Sequence, residues 1–229
     1  MMDKHMKFFR VHTLEEASEV LLEALTYESS VIPAAVPVNT AISGGRSISP
    51  FMEALRLLPA QSLKRFQLYL VDERIEKPHN IDELMDAGFR KLISEGNMRE
   101  DQLHTPDISL PLQQLKASYE SRLPKFSLIF AGVGEDGHIA SLFPGSSALV
   151  SSEDTAVIED SPKPPAKRIT LTHQFFRRHR FSASVYLLFF GKAKQEALRT
   201  FMSTNDMQLC PAALFKDFDH LSIITDLEV

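Results

Sequence analysis

Six of the nine glycines in this 229-residue chain fall in two places, residues 43–47 and 132–145. The first reads Ser43-Gly44-Gly45-Arg46-Ser47, and the second opens Gly132-Val133-Gly134-Glu135-Asp136-Gly137-His138. Each follows a short apolar run and precedes a stretch that reads as helix. Glycine admits positive φ and close backbone approach, so consecutive amides in such turns can converge on an anion. A following helix N-terminus adds partial positive charge. Turns of this kind, placed at strand ends, point to an open α/β sheet with its ligand site beyond the strands' carboxyl ends. Without a ligand, the same glycines would make only two tight connections.

The rest of the chain fits that frame. Residues 38–43, 66–71, 126–131, 168–172 and 185–190 read as strands, with weaker candidates at 155–158 and near 221–225. Several are apolar on both parities, as in strands covered on both faces. Helical patterns lie between them. Thr13 stands three residues before Glu16, the capping-box spacing, and places Leu14, Ala17, Val20, Leu21 and Leu25 on one side. Residues 80–94, 111–122 and 191–202 read similarly. The alternation predicts a mainly parallel sheet with helices on both faces. The Pro-rich segment Ser161-Pro162-Lys163-Pro164-Pro165 is too short for an interdomain linker, so residues 1–229 are expected to form one domain.

Composition removes several classes of function. A net charge of −5 argues against a broad nucleic-acid surface while leaving room for a small basic pocket. The densest basic cluster, Arg177-Arg178-His179-Arg180, reads as a solvated helix end. No apolar run reaches the roughly 20 residues of a membrane span. The first residues lack the apolar core of a signal peptide, so a cytoplasmic protein is expected. A single cysteine, Cys210, excludes a disulfide framework and a multi-cysteine zinc site, and reads as a buried structural thiol.

The second glycine stretch matches G-x-G-x-x-G, but Glu135 and Asp136 would set carboxylates where a pyrophosphate should sit. Pro144-Gly145 then interrupts any long crossover helix. A dinucleotide site is therefore rejected. There is no nucleophile elbow, phosphate-binding P-loop or H-E-x-x-H motif.

Residues 132–145, G-V-G-E-D-G-H-I-A-S-L-F-P-G, resemble the signature stretch of the 6-phosphogluconolactonase family. Ser43-Gly44-Gly45 resembles that family's S-G-G-S-T loop, and Val71-Asp72-Glu73-Arg74 its D-E-R segment, with Asn80 where an asparagine usually follows. Ser161–Pro165 with Arg168-Ile169-Thr170-Leu171-Thr172 resembles its S-P-K-P-P…R-[IV]-T-L-T segment. The four motifs occur in the family's order. The resemblance implies the Rossmann-like α/β architecture of the sugar-phosphate isomerases. Two departures stand out: Arg46-Ser47-Ile48 replaces the usual Ser-Thr-Pro, and Val71 replaces a common glycine. Glucosamine-6-phosphate deaminase is the nearest competitor, with G-x-G-x-N-G-H-I-A-F-N-E-P in its loop. Here Asp136 replaces the asparagine, and Ser141-Leu142-Phe143-Pro144 lacks the acidic residue.

The implied reaction is hydrolysis of 6-phospho-D-glucono-1,5-lactone, with no cofactor and no metal. The catalytic expectations are His138, as general base at a helix start, and Asp72, orienting the water or the imidazole. Pairing with Arg74, two residues along an extended segment, is the alternative for Asp72. The phosphate is expected at Ser43, Gly44, Gly45, Arg46 and Ser47, with Arg168 binding bidentately and Arg74 and Lys163 as further cations. Glu73 and the remaining histidines read as structural or surface groups, with His79 slightly closer to interest. The expected partner is the small-molecule substrate alone, bound by a monomer or small homo-oligomer. A non-catalytic sugar-phosphate sensor is the alternative of another class.

Overall fold

Alternate residues of the central strands point into two different cores. Phe66, Leu68 and Leu70 face one, while Tyr69 and Val71 face the other. Leu128 and Phe130 likewise part from Ile129 and Ala131. A period of two with both parities apolar is what a doubly covered sheet requires.

The computed structural model describes residues 6–228, apart from the side chain of Arg46. Its ten strands are β1 (Met6–Arg10), β2 (Val38–Ile42), β3 (Phe66–Leu70), β4 (Asp72–Arg74), β5 (Leu103–His104), β6 (Leu128–Gly132), β7 (Thr155–Ile158), β8 (Arg168–Leu171), β9 (Ser184–Phe189) and β10 (His220–Thr225). Seven of them form one sheet in the order β1-β10-β9-β6-β2-β3-β5, parallel throughout. The helices Leu14–Val31 and Ser49–Leu57 pack into one core with Leu84, Phe89 and Leu92. The helices Leu112–Glu120, His173–Arg177 and Gln195–Ser203 pack into the other. The expected mainly parallel sheet with helices on both faces is what forms.

Local signals hold with adjustments. Thr13 caps the first helix, its Oγ1 accepting from the Glu16 N–H at 3.1 Å. The Glu16 carboxylate reaches back one residue further than a capping box would, to the His12 N–H at 2.7 Å. The predicted helix over 80–94 is broken by a kink within the π turn Met85–Phe89, where Gly88 leaves helical geometry with φ 138°. The strand expected from residue 126 begins at Leu128. The short strands β1 and β5 escaped notice in the sequence.

Two strand expectations need correction in their placement. Residues 155–158 and 168–172 do not extend the parallel sheet; β7 and β8 form a separate antiparallel sheet with β4, in the order β4-β8-β7. Residues 159–167, which hold the Pro-rich segment, are the hairpin connection between β7 and β8, closed by the Ser161 N–H on the Ala166 carbonyl at 3.0 Å. So short a connection cannot make the crossover that parallel neighbours need. Among the described residues no α-helix lies between β6 and β7, where the second glycine stretch falls. A tight turn bridged at Ile139 and Leu142 and a 3-10 turn at Ser147–Val150 take its place.

Phe130 is fully buried in the core beneath β6 and stacks on Phe51 at 5.2 Å between ring centroids. Phe130→Ala should cost about 3–5 kcal/mol in denaturant unfolding, the range for emptying such a site; a loss under 1 kcal/mol would contradict this packing.

Candidate active site

The strand order reverses between β2 and β6. From there β2, β3 and β5 run outward to one side, and β6, β9, β10 and β1 to the other. A crevice opens at the carboxyl ends of the strands at such a point. The two glycine turns leave β2 and β6 there and abut. Ser43 Oγ accepts the Gly132 N–H at 2.9 Å, and a Cβ on Gly132 would lie 2.3 Å from that of Ser47. Only glycine permits that approach.

The second turn folds on itself. The Gly134 N–H donates to the His138 carbonyl at 2.8 Å, and the Gly137 N–H to the Gly134 carbonyl at 3.1 Å. This brings the Asp136 carboxylate onto Nδ1 of His138, two residues on, while also accepting the His138 backbone N–H at 3.4 Å. The imidazole lies against Gly134, where a Cβ would come within 1.9 Å of Nδ1, and against Phe143, 4.6 Å between centroids. Cys210 is buried beneath the turn, packed on Gly137, in the structural role expected of it. His138 does not start a helix, because residues 139–142 form the bridged turn. Its environment is set by Asp136 instead of a helix dipole. With Nδ1–H donating to the carboxylate, the imidazole lone pair lies on Nε2. Burial opposes the charge on Asp136, but the His138 hydrogen bond and charge, with Lys163 3.5 Å away, outweigh it and hold the carboxyl well below the usual range.

The small sheet supplies the opposite wall. Asp72 faces Thr170 and Arg74 faces Arg168 across β4 and β8, so the antiparallel register puts all four side chains on one face. Asp72 is only 4% exposed. Burial pushes its carboxyl up, countered in part by a hydrogen bond from Ser141 Oγ at 2.6 Å and by the charges of Arg168, Arg74 and His138. Asp72 and Arg74 do not pair as the alternative had it. Arg74 binds Glu83 at 2.7 Å and the Pro78 carbonyl at 3.2 Å, and its Nε is a buried donor without a partner among the described residues.

Arg168 is the most committed cation. Its Nε donates to the Pro165 carbonyl, NH1 to Ser141 Oγ, and NH2 to the carbonyls of Lys163 and Pro164, at 3.1–3.3 Å. Four of its five N–H groups are thus engaged, which leaves one on NH1 and does not suit the bidentate grip expected from sequence. Glu73, read as structural, accepts the N–H groups of Arg74, Asn80 and Ile81 at 2.5–2.9 Å and so anchors the start of the next helix; burial raises its carboxyl to about 6. His79 binds the Arg74 carbonyl at 2.9 Å, and His179 is buried on the Phe175 carbonyl, so the basic cluster there is not wholly solvated.

These parts enclose a cleft of about 270 Å³. It is lined by Ser43, Gly44, Gly45, Ser47, Asp72, Arg74, His138, Lys163 and Arg168, nine of the ten residues singled out in the sequence. The side chain of the tenth, Arg46, lies outside the described residues. Lys194 also lines the cleft and was missed. The signal was its place five residues past the end of β9, beside β6, a neighbourhood the sequence does not display. Asp136, read only as hostile to pyrophosphate, was legible as an Asp-x-His spacing. Among the described residues no group of three or more His, Cys, Asp or Glu is arranged to hold a metal ion. No described helix is long and apolar enough to cross a membrane.

Residues 13–223 match the family model described as glucosamine-6-phosphate isomerases/6-phosphogluconolactonase, and the chain belongs to this family. A 6-phosphogluconolactonase of Borreliella burgdorferi is 34% identical over 201 residues, covering 83% of this chain and 84% of that protein. The 6-phosphogluconolactonase of Homo sapiens is 32% identical over 187 residues, covering 76% and 71%. The solved structure of 6-phosphogluconolactonase from Trypanosoma cruzi superposes with a TM-score of 0.80 at 21% identity, over 98% of this chain and 96% of that one. At that identity the likeness speaks for the fold.

Removing Arg168 would unlatch the hairpin and take from buried Asp72 the foremost of the positive charges that face it. Arg168→Ala should therefore cost about 3 kcal/mol in urea unfolding near neutral pH. The loss should shrink as pH falls and Asp72 takes up its proton. A cost independent of pH would show that the two charges do not interact.

Proposed function

We propose that this protein hydrolyses 6-phospho-D-glucono-1,5-lactone to 6-phospho-D-gluconate in the oxidative pentose phosphate pathway. The observation that carries this reading is an imidazole held by a carboxylate at a cleft lined by four basic side chains, Arg74, Lys163, Arg168 and Lys194. The cations suit a phosphorylated substrate, and the dyad suits activation of water. The names of the 32–34% identical relatives point the same way.

The chemistry needs little more. Nε2 of His138 takes a proton from a water as its oxygen attacks C1, giving a tetrahedral oxyanion. Collapse breaks the bond from C1 to the ring oxygen, which receives that proton from His138, and the new carboxylic acid ionises. Asp136 steadies the imidazolium in between. Because Asp136 already holds the ring, Asp72 is left to orient the water. The amides of Gly44 and Gly45, the hydroxyls of Ser43 and Ser47, and Arg168 and Lys194 receive the phosphate. A pure sensor would have no use for a carboxylate-held imidazole. The same reading places the enzyme in the cytoplasm as a monomer or small homo-oligomer acting on its small-molecule substrate alone.

Freshly generated lactone, read against its spontaneous hydrolysis, provides the assay. His138→Asn should lower kcat about a hundredfold or more, on general-base magnitudes. Wild-type protein no faster than the uncatalysed background would overturn the reading. Lys194→Ala should raise KM at least about tenfold and change kcat less, as for a remote handle; the reverse pattern would move Lys194 to the reacting carbonyl.

A further inference from the structure

Ser141 stands in the middle of the signature stretch, yet it is fully buried and does not line the cleft. Its hydroxyl donates to Asp72 Oδ2 at 2.6 Å and accepts from Arg168 NH1 at 3.3 Å. Its backbone N–H donates to Thr170 Oγ1 at 3.3 Å, on the strand residue opposite Asp72. One side chain therefore joins a buried carboxylate to a buried guanidinium that do not bond directly to each other.

The backbone is bent to deliver it. Ala140, immediately before, has φ 50°, the one positive value among the described non-glycine residues. An L-residue in that region carries strain of about 1–2 kcal/mol. The turn is closed by the Leu142 N–H on the Ile139 carbonyl at 2.8 Å. A serine that merely filled space would not require a strained neighbour.

We propose that Ser141 is a positioning residue that favours the charged form of Asp72 against its burial and fixes one of its oxygens, leaving the other for the reacting water. This rests on the role given above to Asp72. The charged form of a carboxylate is favoured by a donor held against it, and Ser141 is the one side-chain donor to Asp72 recorded among the described residues. Arg168 polarises that hydroxyl from behind. The other titratable groups facing Asp72 are Arg74 and Arg168 from the small sheet and His138 from the glycine turn. Neighbouring Glu73 and the buried Tyr119 complete its surroundings. None of these donates a hydrogen bond to the carboxylate in this arrangement. Arg168 supplies its charge through the serine.

The test reads the carboxyl directly. The ¹³C signal of Asp72 Cγ is titrated by NMR in the wild type, Ser141→Ala and Ser141→Cys, and assigned by its disappearance in Asp72→Asn. Without the hydroxyl, the titration midpoint should rise by about one to two pH units, the size of a lost charge-assisted hydrogen bond. The kcat should fall about ten- to a hundredfold and KM should rise by a smaller factor, since Arg168 loses its serine partner but keeps its three carbonyl contacts. Ser141→Cys, close in size and a weak donor, carries the same expectation should the alanine variant not fold. An unmoved midpoint in the folded variant overturns the proposal. A midpoint that moves while Asp72→Asn keeps wild-type turnover leaves Ser141 as the group that sets Asp72 and removes Asp72 from the catalytic reading instead.

Discussion

The whole site hangs on the abutment of two glycine turns where the strand order reverses. The bond from the Gly132 N–H to Ser43 Oγ, and the missing side chain on Gly132 that lets Ser47 in, fix the loop after β2 against the loop after β6. Everything that meets in the cleft is referred to that contact. The imidazole rides on one turn, and the expected phosphate cradle is the other. A parallel sheet makes this possible because all its strand ends emerge on one edge.

A second, smaller sheet turns that edge into a cleft. Antiparallel pairing of β4 with β8 collects Asp72, Arg74, Thr170 and Arg168 on one face. Like charges directly opposite across a pair repel. Arg74 and Arg168 tolerate the arrangement because each is engaged elsewhere, Arg74 by Glu83 and Arg168 by the carbonyls of the Pro-rich hairpin. The cleft is thus cationic through residues anchored by its own scaffold.

Much of this was legible in the sequence. Strand parity gave the two-sided sheet, glycine placement gave the two turns, and nine of ten chosen residues share one cleft. What escaped depended on contacts between distant segments. Residues 168–172 read as a strand without showing which sheet they join, and the short hairpin after β7 sends them to the smaller one. His138 looked like a helix start because glycines precede it, whereas Pro144 and the strained Ala140 turn the chain instead. Lys194 reaches the cleft only because β9 lies beside β6, a fact of strand order that no local pattern carries. Ser141 read as one letter of a motif, and its meaning came from what β4 and β8 place on either side of it.

The commitment of Arg168 has a consequence for recognition. A lysine or a loosely held arginine in a pocket reports only that an anion is near, because its donors can follow the ligand about. A guanidinium held at Nε and NH2 by three carbonyls and at NH1 by the Ser141 hydroxyl cannot swivel. Its remaining N–H offers one fixed direction, so the cleft measures where a negative oxygen sits as well as whether it is there. On the proposed reading, a ligand with its phosphate one carbon nearer or farther along the sugar would meet the same charge at the wrong address.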